Sequence, residues 1–520
     1  MEKFSQQERN GLYELTDEAR AELKGNPYYN EDLAPTKISE RTWNTYNVTA
    51  LWISICICIP SFTMAAGLVV LGLSPWLAVL NITLGNLLVL IPMQLNSRAG
   101  TQYGIPFPVF SRMTFGMRGA HIPSLARGLA ACGWNAFQCW IGGAALVAIF
   151  AVFVPAAAGS MQARVVGFFI FLVLCMWSTI YGAGALKKLK AFAGPILIVL
   201  TAGVFAWSLA LALGGGFSFG DVMQASSDPD RIAANGGLWL IFAGGLTANI
   251  GFWGTMAINI PDFSRYAKSQ KAQFRGQLYA VPLSMFACAF IGAFMAQATG
   301  LVLGRPFFDP TIILQHLGGN PFLIIIVASA VAFATLTTNI AANIVAPANG
   351  LTNLMPKKIS YKMGVVITCV IAIAFQPWWL FTYAARLFSL FIGTYGGILA
   401  PLAAIFVADF YRVKQCRLNV MDLFQGEKGR YWYASGFNTK AIIAWSAGFI
   451  LPTIGRIMAI TAGGGVGSAH LIDNGFFRWV TANAYIFGFV VAYVVYMLIM
   501  DKGHPSFVSE AENKAITAKE

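Results

Sequence analysis

One apolar stretch of the chain contains Ala334-Thr335-Leu336-Thr337-Thr338-Asn339-Ile340-Ala341-Ala342-Asn343. Two primary amides and three hydroxyls stand there among residues suited to hydrocarbon. Hydrocarbon cannot hydrogen-bond such groups, so each needs a protein partner, a water or a ligand. Asn339 and Asn343 are four apart and share a helical face. A second cluster is Trp134-Asn135-Ala136-Phe137-Gln138. Trp134 and Gln138 also share a face. The indole offers a flat stacking surface, and the amide offers both a donor and an acceptor. Trp253, next to Phe252, adds a further aromatic wall. This chemistry suits the binding of a planar, amide-rich ring. The plainer reading makes Trp134 a packing residue and Gln138 an interhelical hydrogen bond.

Bond-breaking chemistry lacks its parts. No Asp or Glu occurs between Glu40 and Asp221, and none falls in the middle of an apolar run. There is no nucleophile–base pair and no His/Cys metal spacing; Cys56 and Cys58 form C-x-C with no histidine near. A carboxylate relay through a membrane is equally hard to build. Coupling to a cation would have to use carbonyl and hydroxyl oxygens, which suit Na+ at unwound helix segments. Pro60, in Ile53-Ser54-Ile55-Cys56-Ile57-Cys58-Ile59-Pro60, removes a backbone donor and frees carbonyls near Ser54–Cys58. Gly251 and Gly254 flank Phe252-Trp253 and mark a second expected break.

The elements that must position these residues are membrane spans. Hydrophobic residues make up 57% of the 520-residue chain and charged residues 11%. Apolar runs of spanning length are expected at 47–72, 76–96, 122–154, 163–184, 190–213, 237–258, 277–303, 320–350, 361–379, 382–410, 438–460 and 479–500. The weakest punctuation is at Gln376-Pro377. The first 44 residues are polar and show no secretory signal. Of 35 Lys and Arg, 28 fall on the side that also holds both termini; four fall opposite, and Arg127, Arg386 and Arg456 fall within runs. By the positive-inside rule both termini are expected in the cytoplasm of a cell with this chain in its plasma or inner membrane. The same bias accounts for the net charge of +13 without nucleic acid. The expected organisation is a 1–44 tail, a 45–411 ten-helix core, a 412–437 loop, two further helices in 438–500 and a 501–520 tail. A channel for a small neutral solute is the reading from a different class.

Ordered motifs resemble the nucleobase–cation symporter-1 family, which includes hydantoin, allantoin, cytosine and uracil permeases. They run from about Asn30 to Asn438. They include Asp32-Leu33-Ala34-Pro35, Arg41-Thr42-Trp43, the Ala99–Val109 stretch, Arg112-Met113-Thr114-Phe115-Gly116 and Arg118-Gly119-Ala120. Later come Asn259–Arg265, Ala334–Asn343, Asp409-Phe410-Tyr411, Asp422-Leu423 and Gly429-Arg430-Tyr431. The whole chain looks most like the bacterial allantoin and hydantoin branch. The resemblance implies an all-α, LeuT-like five-plus-five inverted repeat with two extra C-terminal helices, working as a monomer in the lipid bilayer. It implies substrate contacts at Trp134, Gln138, Phe252, Trp253 and Asn343. Asn339, expected mainly to support packing, and Cys58, where relatives often carry an amide, complete the candidate set. For Na+ as coupling ion it implies Ser54, Ile57, Ala334, Thr337 and Thr338, with no other cofactor. Proton coupling and uncoupled permeation are the alternatives.

Overall fold

A computed structural model describes residues 6–306, 320–383, 385–464 and 468–500. Helix dominates, because a segment in hydrocarbon must satisfy its backbone internally. Among the described residues ten helices are long and apolar enough to cross a membrane, and two bent pairs, each counted as one span, bring the number to twelve. Numbered along the chain, span 1 is the pair Thr45–Cys56 and Ile59–Val70. Spans 2 to 5 are Pro75–Tyr103, His121–Phe153, Met161–Ile180 and Leu186–Gly214. Spans 6 to 8 are Leu238–Asn259, Gln270–Leu303 and Pro321–Leu354. Spans 9 to 11 are Tyr361–Leu380, Thr394–Val413 and Thr439–Thr461. Span 12 is the pair Gly475–Ala482 and Ala484–Ile499.

Span 1 breaks by 52° at Ile57 and Cys58, and both leave helical geometry. Pro60 stands in the first turn of the second half, where a missing N–H costs nothing. Span 6 differs from expectation: Leu238–Asn259 is one continuous helix. It holds no proline to remove a ladder bond. Its glycines serve close packing. A Cβ on Gly254 would sit 2.8 Å from the Tyr485 ring, and Gly251 faces the Cα of Gly396. Span 8 changes winding midway, from α over Pro321–Asn339 to π over Ile340–Ile344, then α again over Val345–Leu354. At the weak punctuation, the Tyr361–Ala374 helix ends, Gln376 takes φ 45°, and Pro377 opens a short helix.

Both halves of span 1 pack on span 7, and span 2 lies along spans 6 and 7. Span 3 lies along spans 4 and 8, and span 8 along span 9. Two four-span units, 1-2-6-7 and 3-4-8-9, therefore face one another. Spans 10, 11 and 12 pack together beside span 6.

The segment before span 1 adds a short hairpin to the helical fold. Gln6–Arg9 pairs antiparallel with Leu12–Leu15. The turn is Asn10-Gly11, with φ of 55° and 74°, the pairing a tight two-residue hairpin favours. The rest of this segment is pinned to distant loops. Thr36 N–H donates to Gly104 O (2.8 Å), and Tyr361 N–H to Asp32 Oδ2 (2.8 Å). Asn30 Nδ2 donates to Pro356 O (2.6 Å), and Gln6 Nε2 to Leu418 O (3.1 Å). The 501–520 tail lies outside the described residues.

Candidate functional site

Trp134 and Gln138 lie on span 3, and both are buried. Phe137, Phe252 and Tyr395 meet the Trp134 ring at near right angles, with centroids 5.5, 5.8 and 6.3 Å away. None of these rings lies parallel to the indole, so parallel stacking is the geometry left for a flat ligand. Phe252 joins this cluster to Trp253 (5.1 Å), which in turn meets Trp52 of span 1 (5.9 Å). One turn from Trp134, Gln138 Oε1 is buried without a hydrogen-bond partner among the described residues. Such an acceptor costs about 1–3 kcal/mol, a cost that an N–H on a bound ring would remove.

Asn339 and Asn343 of span 8 differ in their partners. Asn339 is fully buried; its Nδ2 donates to Asn135 Oδ1 (2.7 Å) and lies 3.4 Å from the sulfurs of Cys139 and Cys175. It ties spans 3, 4 and 8 together. Asn343 sits one turn on, in the π-wound segment, and donates to Asn339 Oδ1 (2.9 Å). Asn343→Ala is therefore expected to weaken substrate binding about tenfold, while Asn339→Ala mainly lowers stability by about 1–3 kcal/mol through its stranded partners. Binding and melting measurements on both variants separate the roles; equal binding defects would erase the distinction.

Cys58 stands apart from the aromatic cluster. Its sulfur lies 3.3 Å from Ser61 Oγ. With Ile57, Phe62, Leu197 and Ala334 it lines an apolar cleft of about 430 Å³ between spans 1, 5 and 8.

The five residues matched to a cation lie at the break of span 1 and the facing turn of span 8. Thr338 Oγ1 donates to Ser54 O (3.1 Å), which joins the two spans. Thr337 Oγ1 instead bonds Ala334 O one turn back (3.0 Å). Sequence reasoning placed Lys190 at the mouth of span 5. The helix in fact begins at Gly182, so Lys190 lies two turns inside it. It is buried, and its Nζ donates to Thr337 O (2.5 Å). The signal for this was the apolar spacing of Leu186 and Leu189, which extends the helix toward its N-terminus.

Below the aromatic cluster lies a polar network that motif matching did not single out as functional. Arg127 of span 3 is buried and donates to Thr255 O and Asn259 Oδ1 of span 6 and to Ala342 O of span 8. Beyond Asn259, burial pushes the Asp262 carboxyl up to about 6, although the Phe107 N–H, Arg265 and two Asn amides pull it down. No carboxylate lies in contact with the Arg127 guanidinium among the described residues.

The family model described as a permease for cytosine/purines, uracil, thiamine and allantoin matches residues 35–498. The purine-uracil permease NCS1 of Arabidopsis thaliana is 36% identical over 94% of this chain and 80% of its own length. The allantoin permease of Bacillus subtilis (strain 168) is 32% identical over 85% of this chain and 90% of its own. The fold matches that of Mhp1, a nucleobase-cation-symport-1 family transporter solved in a closed conformation with bromovinylhydantoin bound. The TM-score is 0.73 at 24% identity, covering 94% of this chain and 99% of that one. It is thus the LeuT-like inverted-repeat fold, also met at a TM-score of 0.53 in MhsT. With the match running across nearly all the spans and the loops between them, the chain belongs to the nucleobase–cation symporter-1 family of membrane permeases.

Proposed function

We propose that this chain is a secondary active transporter that imports a planar nitrogen heterocycle by cation symport and alternating access. The substrate class is allantoin, a hydantoin, or a pyrimidine or purine base. The observation that carries this reading is the Gln138 acceptor, without a partner among the described residues, one turn from an indole that Phe137, Phe252 and Tyr395 all meet edge-on. A ring bearing N–H and C=O groups satisfies both. Asn343 supplies a second amide from span 8, which packs along span 3, and Phe252 and Trp253 supply the walls. The relatives transport molecules of this kind by name. The distribution of Lys and Arg supports a plasma or inner membrane with both termini cytoplasmic, and nothing in the site needs a second copy of the chain. Uptake of a labelled panel of allantoin, hydantoin, uracil, cytosine and purines by the full-length protein, followed by counterflow, tests the reading. A carrier trans-stimulates, whereas a pore shows none.

Two coupling ions fit the donors between spans 1 and 8. Ser54 O, Ile57 O, Ala334 O, Thr337 and Thr338 offer the hard oxygens that Na+ prefers, and the Thr338–Ser54 contact already holds the two spans at this point. A specific observation favours the proton instead: Lys190 Nζ donates to the backbone carbonyl of Thr337, whose hydroxyl belongs to this set. Two unit charges about 4 Å apart repel by about 4 kcal/mol at an effective dielectric of 20. A charged Lys190 thus takes the place of a metal cation, and the proton it carries becomes the coupled ion. Uptake with choline replacing sodium at fixed pH decides between them. Under the proton reading the rate is unchanged in choline, and Lys190→Met abolishes accumulation while counterflow survives. A rate that collapses in choline returns the site to sodium.

A further inference from the structure

Asn343 lies in the π-wound segment Ile340–Ile344, a kind of winding often met at functional sites. In the same segment Ala342 O accepts Arg127 Nη2 at 2.6 Å. The other arm of the same guanidinium reaches span 6, where Nε donates to Thr255 O (3.1 Å) and Asn259 Oδ1 (3.0 Å). From there the bonds continue. Asn259 Nδ2 donates to Asp262 Oδ2 (3.3 Å), and Asp262 Oδ1 accepts from Asn349 Nδ2 of span 8 (2.9 Å) and from Phe107 N–H (3.1 Å). The circuit crosses twice between the 1-2-6-7 unit and the 3-4-8-9 unit. Both crossings lie on the side of the basic loops, below the aromatic cluster.

A guanidinium buried with no contacting carboxylate is expensive. Packing alone would be served as well by an apolar side chain of that volume. The planar fork does what such a residue could not, because it holds two elements at a fixed separation. We infer that Arg127 is a positioning residue that latches the substrate amide Asn343 to the cytoplasmic seal formed by Asn259, Asp262 and Asn349. The inference rests on the chain's being an alternating-access carrier. The Arg127–Ala342 bond stays inside one unit. The Arg127–Thr255/Asn259 and Asp262–Asn349 bonds join the two units, so opening the cytoplasmic side must break them. Once Nε is released, the guanidinium no longer holds Ala342 against span 6, and the neighbouring Asn343 shifts. Substrate on Asn343 and closure of the seal therefore favour each other equally.

Cytoplasmic accessibility tests this without any knowledge of the substrate. A cavity of about 390 Å³ beside the seal is lined by Ser178, Asp262, Arg265 and Tyr361. In inside-out vesicles, the full-length protein carrying Cys416→Ser and Ser178→Cys is alkylated with a membrane-impermeant maleimide. The seven other cysteines are buried. Asn259→Ala is expected to raise the alkylation rate about tenfold, the change that losing about 1.4 kcal/mol produces, and through the same coupling to raise the substrate KM. Arg127→Gln is expected to raise both alkylation and KM. Parent-like alkylation in Asn259→Ala overturns the latch even if Arg127→Gln fails to insert. An Arg127→Lys protein with both readouts at parent values overturns it too, because charge alone would then suffice. A parent that alkylates as expected but takes up nothing from the substrate panel refutes the transport reading instead.

Discussion

Asp409→Asn should cost the folded protein about 3–5 kcal/mol, the usual result of stranding one member of a buried ion pair. Lys414 Nζ lies 2.5 and 2.6 Å from the two Asp409 oxygens, and neither side chain is exposed. Asp409 stands in the π-wound end of span 10, Ala408–Val413, where spans 10 and 12 pack together. With the carboxylate gone, the ammonium stays buried against a neutral amide. The expected readout is a steep fall in melting temperature in detergent and little protein in the membrane. Double replacement by apolar residues, Asp409→Leu with Lys414→Met, should recover most of that loss, since a well-packed apolar pair often matches a buried ionic one. If Asp409→Asn melts with the parent, the pair is not what closes this end of the bundle.

Trp134→Ala should abolish high-affinity uptake while the protein still inserts. Stacking on an aromatic side chain contributes about 1–3 kcal/mol, so affinity falls about tenfold or more. The loss extends beyond the stack, because Phe137, Phe252 and Tyr395 all rest against this indole and would lose their common wall. Trp134→Phe keeps a smaller ring and should retain part of the affinity. Direct binding by calorimetry or fluorescence separates a lost site from a slowed carrier. Normal binding by Trp134→Ala would move the substrate elsewhere.

The spans were legible because apolar length is dictated by the bilayer and needs no tertiary knowledge. The face shared by Trp134 and Gln138 follows from helical periodicity, and the break at Ile57–Cys58 follows from the chemistry of Pro60. Three features were hidden for specific reasons. Gly251 and Gly254 look like unwinding points, yet only the positions of Gly396 and Tyr485 show that they make room for close packing. The π-wound turn carrying Asn343 has no composition of its own. Its Ala342 carbonyl takes a hydrogen bond from a guanidinium more than two hundred residues earlier, a partner that local sequence does not show. Lys190 reads as a cation at the edge of the run expected at 190–213, because only the spacing of Leu186 and Leu189 marks the eight earlier residues of the helix. The Asn10-Gly11 hairpin left only its turn to read, because the Gln6–Arg9 strand before it carries no apolar residue.

The pinned N-terminal segment also sets an order in time. Gln6 bonds Leu418 O and Val420 N–H, partners 412 and 414 residues further along the chain. Asn30 waits for Pro356, and Asp32 for Tyr361. At about 5–20 residues per second of synthesis, the hairpin leaves the ribosome roughly 20–80 s before its last docking surface exists. The first piece made is therefore among the last to settle, and its seating records that the spans between have all been placed.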